Sequence, residues 1–309
     1  MNSLTDHFKR ARPPFPSARR RFDLVAVSAA SDGEWLGVQD LLDSLATYLE
    51  CGYEVVFADD ATVDGTYERL LNAGCWVVRN PQKLYPADLH LTLRRAFVEA
   101  HRLFESPIFL KIDPDALVIG PNLLPALQSA FSIDSKTGLL GAYHLDWNGE
   151  PHDLSYWQGR MTRRRKDLGR PYDLALSYGY KTGDGVQGGA YALAGACLEA
   201  IIRQGWFHGK AGYRPSHAKG HRIAEDSLIT LLTYAAGFKA QDFGDPEQPF
   251  GIWGVGLPMS PEKLIQQNRL VTHAIKYNDE VSLQTRNFFR LRREALRSGL
   301  SSRTPNQAF

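Results

Sequence analysis

Long apolar runs are missing from this 309-residue chain. None approaches the roughly 20 residues needed to span a bilayer. No hydrophobic stretch follows the basic N-terminus, so a secretory signal is not expected either. Cysteine is scarce: Cys51, Cys75 and Cys197 are an odd set whose spacing suits neither a disulfide framework nor a zinc site. Cys75 and Cys197 sit in apolar runs and are read as small core residues. An excess of one charge is also lacking. Against 36 basic residues stand 34 acidic ones, a net of +2, which argues against a nucleic-acid binder. Internal repeats and low-complexity tracts are absent. The expectation is a cytoplasmic chain in a reducing compartment, touching a membrane at most peripherally.

What is present is ordinary globular composition, and a chain this long can bury a large core without disulfides or structural metals. The basic residues are uneven. Lys9, Arg10, Arg12, Arg19, Arg20 and Arg21 crowd the start, Arg160, Arg163, Arg164, Arg165, Lys166 and Arg170 form a second group, and Arg286, Arg290, Arg292, Arg293 and Arg297 a third. Such clusters are either solvated surface or contacts to phosphate or anionic lipid.

Residues 1–21, with three prolines and many charges, read as a mobile basic arm. From 23 onward, apolar runs and helical periodicity alternate. Strands are expected at 23–30, 53–58, 75–78 and 108–112, and helices at 35–49, 64–71 and 87–104, with Asp64 as N-cap of the second helix. Four alternations predict a single α/β domain over 22–280, with a mostly parallel central sheet flanked by helices. Ligands of such sheets bind beyond the carboxyl ends of the strands. After 120 the pattern loosens: a helix at 121–131, a strand at 138–145, an aperiodic segment at 146–187, a strand at 190–193, and helices from about 198 and at 226–236. Residues 281–309 read as an amphipathic helix and tail, with Phe288, Leu291, Ala295 and Leu296 as its apolar stripe.

The acidic residues lie at strand ends. Asp113-Pro114-Asp115 closes the run FLKI. Two carboxylates one residue apart can share a hard divalent cation, Mn²⁺ or Mg²⁺, and leave positions open for phosphate oxygens. The bland alternative is an Asp-Pro turn. Asp59-Asp60 closes the second strand, where carboxylates can accept from a base or ribose or simply form a turn. Glu225-Asp226 heads the helix SLITLLTYAAG, suiting either the helix dipole or a general base. Gly188-Gly189 opens the strand before it and admits a close backbone approach. His273 is either a structural histidine or a third metal ligand, with Lys276 nearby as a phosphate partner. Arg94 and Arg95 are either surface charge or a grip on pyrophosphate.

In order and spacing these motifs resemble those of the GT-A-fold nucleotide-sugar glycosyltransferases. VVFADDATVDGT is similar to that superfamily's second-strand signature, and FLKIDPDALV to its metal motif. QGGAYALAGACLEAI followed by AEDSLITLLTYAAGF is similar to the acceptor side of the β-1,3-galactosyltransferase and Fringe-like branch, and VTHAIKY to the late metal histidine. The loop after Asp60 departs from the commoner Gly-Ser-Thr-Asp, and Pro114 fills the middle of the metal motif. The Gln-X-X-Arg-Trp motif of processive synthases is absent. The resemblance implies a Rossmann-like GT-A domain and a metal-dependent, inverting transfer from a nucleoside-diphosphate sugar, a UDP-sugar by expectation, to a saccharide or other hydroxyl acceptor. It implies Asp59, with Asp60, at the base or ribose, and Asp113, Asp115 and His273 at the metal. Asp226 is the implied general base, with Glu225 the second candidate. Arg94, Asp113, Gly188, Gly189 and Lys276 complete the nucleotide-sugar site. Rival readings are a nucleotidyltransferase, whose glycine- and lysine-rich loop is missing here, and an Asp-X-Asp phosphatase, which needs Thr or Gly soon after the second Asp, where Ala116-Leu117-Val118 stand instead. A degenerate transferase acting as a binding protein is the third.

Overall fold

The computed structural model describes residues 18–49, 52–84, 89–143, 168–208, 223–244, 248–254, 256–276 and 279–298, together with 150, 158–159 and 161–162. The first part of the basic arm, Cys51, and Arg160 and Arg163 to Lys166 of the second basic cluster lie outside the described residues.

The alternation read from the sequence is present. Strand β1 (Arg20–Arg21) precedes β2 (Leu24–Ala30), α1 (Trp35–Tyr48), β3 (Tyr53–Asp59), α2 (Thr66–Asn72), β4 (Trp76–Arg79) and α3 (Leu89–Leu103). Then come β5 (Phe104–Glu105), β6 (Ile108–Ile112), β7 (Leu117–Val118), α4 (Leu123–Ile133) and β8 (Thr137–Gly141). The chain continues with α5 (Arg170–Ser177), β9 (Ala190–Ala194), α6 (Gly195–Arg203), α7 (Glu225–Ala235), β10 (Lys239–Asp242), β11 (Phe250–Ile252), α8 (Pro261–Gln266), β12 (Val271–His273) and α9 (Glu280–Arg297).

The central sheet has seven strands in the order β10-β8-β9-β6-β2-β3-β4. All neighbours pair parallel except β9, which runs antiparallel to both β6 and β8. The fold is therefore α/β, with a mixed, mostly parallel sheet. Strand β2 explains the layers. Its seven residues are all buried, and alternate ones face opposite sides: Val25, Val27 and Ala29 meet α3 through Leu93, Ala96 and Phe97, while Leu24, Ala26 and Ala30 share a core with Val38, Leu41 and Leu45 of α1. Period-two side chains between two helical layers give a continuous apolar run, as strands covered on both faces require.

Several local details differ from expectation. Arg20–Arg21, at the end of the expected arm, pair parallel with β5. The N-cap of α2 is Gly65, and Asp64 instead accepts from the Thr66 amide at 3.0 Å and from the Gly33 amide at 2.7 Å. Helix α5 lies within the segment read as aperiodic. It is only eight residues long, with proline in its first turn, too short to show a helical period.

The third basic cluster is corrected. The face of α9 that is buried carries Thr285, Arg286, Phe289 and Arg293, and Leu291 of the expected apolar stripe is 55% exposed. Asp40 and Asp43 on α1 draw the arginines inward: Arg286 and Arg293 reach Asp40 at 2.8 and 3.1 Å, Arg293 reaches Asp43 at 2.5 Å, and Arg297 also binds Asp43. These three arginines dock a helix rather than face lipid. Among the described residues no helix is long and apolar enough to cross a membrane.

Candidate metal and acid-base site

The second sheet, β11-β12-β7, is small and builds the site. After β6 the chain turns at Asp113, whose carbonyl accepts from the Ala116 amide at 2.9 Å, and enters β7. Strand β12 pairs antiparallel with β7, Thr272 opposite Leu117. The Ile275 amide donates to the Asp115 carbonyl at 2.8 Å. That register sets His273 beside Asp115. Asp113, Asp115 and His273 each offer a ligand atom, and these atoms all lie within 4.8 Å of one another.

The hydrogen bonding of His273 fits a cation. Its Nδ1 lies 2.6 Å from the Trp253 carbonyl, which can only accept, so Nδ1 carries the hydrogen. In the neutral ring Nε2 is then a lone pair, and it faces Asp115 Oδ1 at 3.3 Å. Two acceptors held face to face call for a proton or a cation between them. The other oxygen of Asp115 accepts from Lys276 Nζ. Burial acts to raise the Asp115 carboxyl, but with a proton in that gap the hydrogen bond and charge of His273, together with Lys276, hold it well below the usual carboxylate range.

Glycine is required at 189, for a reason internal to the protein. A Cβ on Gly189 would lie within the His273 ring, and one on Gly188 would meet Asp226 Oδ2 at 3.4 Å and Glu225 Oε2 at 3.5 Å. The two acidic residues at the head of α7 therefore abut the same turn that backs the metal ligands.

These two carboxylates differ. Glu225 is enclosed: one oxygen accepts from Tyr191 Oη, and the other lies 3.8 Å from Lys111 Nζ. Burial pushes its carboxyl up to about 7, aided by Asp226 and Asp113 and opposed by Lys111. Asp226 is held differently. One oxygen accepts from the Ser227 amide at 2.6 Å, and the other borders Gly188.

Sequence reasoning missed Lys111 and Glu34. Lys111 is 0% exposed on β6, lies 2.8 Å from Asp113, and donates to the Gly188 carbonyl. Burial works against its charge, yet Asp113 and Glu225 hold its pKa above the usual lysine value. A lysine inside the apolar run FLKI was the available signal, because a buried ammonium demands partners. Glu34 precedes α1 and accepts from the Ser31 amide at 2.7 Å. Burial, then repulsion from Asp113 and Asp115, pushes it up to about 7. No local pattern marks it.

Four residues expected as candidates for the nucleotide bind the protein's own groups. Asp59 is fully buried, accepts from the Thr62 hydroxyl at 2.5 Å and lies 3.3 Å from Arg79. Its carboxyl is raised by burial, against Thr62 and Arg79. Asp60 accepts from Asn80 Nδ2 and from the Leu84 amide, each at 2.9 Å. Arg94 is 6% exposed and donates to the Phe207 carbonyl at 3.2 Å, and it borders a small cavity with His90, Tyr191 and Glu225. Arg95 donates to Asn80 Oδ1 at 2.6 Å.

No family model matches the chain, and no curated protein matches it. Solved structures do. The mannosyltransferase PcManGT from Pyrobaculum calidifontis, in complex with GDP-Man and Mn²⁺, is 15% identical over 97% of this chain and 71% of its own, with a TM-score of 0.44. TarS 1-349 of S. aureus in complex with UDP-GlcNAc is 18% identical over 72% of this chain and 56% of its own, at 0.42. The galactosyltransferase LgtC, in complex with donor and acceptor sugar analogues, is 13% identical over 92% of this chain and 98% of its own, at 0.48. At these scores the likeness leaves the function to the chemistry of the site.

Proposed function

We propose that this chain is a metal-dependent glycosyltransferase of the GT-A kind, moving a sugar from a nucleoside-diphosphate donor, in the first instance a UDP-sugar, to an acceptor hydroxyl with inversion. The observation that carries this reading is the convergence of Asp113, Asp115 and His273, one ligand atom from each within 4.8 Å, beside the acidic head of α7. The sequence motifs support it independently.

Asp113, Asp115 and His273 would hold the cation, and one imidazole beside two carboxylates favours Mn²⁺ over Mg²⁺. When bound, the metal neutralises the developing charge of a diphosphate leaving group. The Trp253 carbonyl keeps the His273 lone pair on Nε2, and Lys276 stands at the rim to meet phosphate. Asp226, which borders Gly188, takes the proton from the acceptor hydroxyl. Glu225, clamped by Tyr191 and Lys111, positions the helix head and stays behind it. Asp59 and Asp60 shape the loop over 60–63 and the segment at 80–84 on which a nucleotide would rest. Direct contact of Asp59 with base or ribose requires that it exchange Thr62 or Arg79 for the ligand. Arg94 acts from beneath α7 and is assigned no pyrophosphate contact.

The test is a panel of UDP-, GDP- and dTDP-sugars with Mn²⁺, read by release of nucleoside diphosphate and by thermal shift with each diphosphate. One diphosphate should stabilise the protein in Mn²⁺ and not in EDTA. No stabilisation by any of them would overturn the reading.

A further inference from the structure

The two metal carboxylates each carry a lysine, and the lysines are of opposite kinds. Lys111 is 0% exposed, and its ammonium is held by Asp113, Glu225 and the Gly188 carbonyl, partners on three separate segments. It is a fixed counter-ion. Lys276 has a side chain that is 53% exposed, reaches Asp115 from solvent along a flexible four-carbon stem, and sits on the oxygen that His273 does not face. A half-exposed ion pair is weak, and its geometry is readily given up.

We propose that Lys276 is a displaceable counter-ion that holds Asp115 until a divalent cation arrives and is then released to the diphosphate, so that metal and nucleotide bind cooperatively. The inference rests on the proposed donor site and adds to it a specific coupling. Without nucleotide, the cation must displace one positive charge from Asp115 and then stand next to it. With nucleotide present, the displaced ammonium gains phosphate oxygens as a new partner. Each ligand therefore improves the site for the other, and linkage requires the enhancement to be the same measured from either side.

The test is a Mn²⁺ titration at fixed pH, followed by the paramagnetic resonance signal of free Mn²⁺, with and without UDP or GDP. Wild type, Lys276→Met and Lys276→Arg are compared. In wild type the nucleotide should tighten Mn²⁺ binding. Lys276→Met should bind Mn²⁺ alone about two- to fivefold more tightly, the range of one exposed ion pair, and show a smaller enhancement by nucleotide, keeping only the part that metal–phosphate contact supplies. Lys276→Arg should behave as wild type, because the charge is kept. Unchanged or weaker Mn²⁺ binding in Lys276→Met, or an enhancement undiminished in it, overturns the displacement while leaving the transferase reading intact. Wild type that binds no Mn²⁺ with either nucleotide overturns both.

Discussion

His273 Nε2 stands 3.3 Å from Asp115 Oδ1, and the two reach that distance because β12 lies antiparallel against β7 with Thr272 opposite Leu117. Asp115 arrives directly after β6 of the large sheet, whereas His273 arrives on the small sheet. Between them, nothing in the chain is locally related. The candidate metal site is thus a seam between two sheets.

Metal binding should depend on both sides of the seam. Asp115→Asn should remove Mn²⁺-dependent stabilisation and turnover while changing the melting temperature little. Gly189→Ala should weaken Mn²⁺ binding as well, although it alters no ligand, because its methyl group would displace the His273 ring. Isothermal titration with Mn²⁺ checks both. Full turnover of the wild type in excess EDTA is the result that removes the metal from the account.

Asp226→Asn should lower turnover by about 10²–10⁴-fold, the usual range for a positioned general base. Donor affinity should hardly change, since the base serves the acceptor. Steady-state kinetics separate the two effects, and a collapse in donor affinity would show that Asp226 belongs to the nucleotide site.

Stability should fall as pH rises from about 5 to about 7.5. Glu225 and Glu34 both have carboxyls raised from an ordinary 4.5 to about 7 in the folded state. Between those values the folded protein binds protons that the unfolded chain has released, so unfolding releases protons and is favoured by higher pH. Glu225→Gln and Glu34→Gln should each flatten this slope, and the double variant more than either. Melting temperatures across the range provide the check; a slope unchanged in the double variant would refute it.

Arg293 is 1% exposed and lies 2.5 Å from Asp43 and 3.1 Å from Asp40. Arg293→Ala takes from Asp43 and Asp40 the buried arginine they share and leaves them Arg297 and Arg286; breaking a buried pair costs about 3–5 kcal/mol, and the arginines that remain set this case at the lower end, about 3 kcal/mol. Urea unfolding should show a loss of that order. A loss within about 0.5 kcal/mol, as for an ordinary surface substitution, would mean that α9 docks by its apolar contacts alone.

The sequence by itself determined the layered α/β architecture and the ends of its strands. Those features are local: a buried strand must be a short apolar run, a helix must repeat its apolar positions every three or four residues, and a carboxylate placed directly after an apolar run falls at a strand end. Asp59 and Asp113 were placed at strand ends for that reason, the Glu225-Asp226 pair was placed at the head of a helix, and His273 stood as a candidate. Only the tertiary structure decided which of them meet. It brought His273 to Asp115 through sheet register, turned Asp60 and Arg94 inward to hold the protein's own segments, and placed Lys111 under both Asp113 and Glu225. It also took Arg286 and Arg293 of α9 from a surface and buried them against Asp40 and Asp43. The physical reason is one of range. Hydrophobic periodicity acts over a turn or a strand, whereas a buried charge is settled by whichever opposite charge the finished packing sets beside it, and that partner can come from anywhere in the chain.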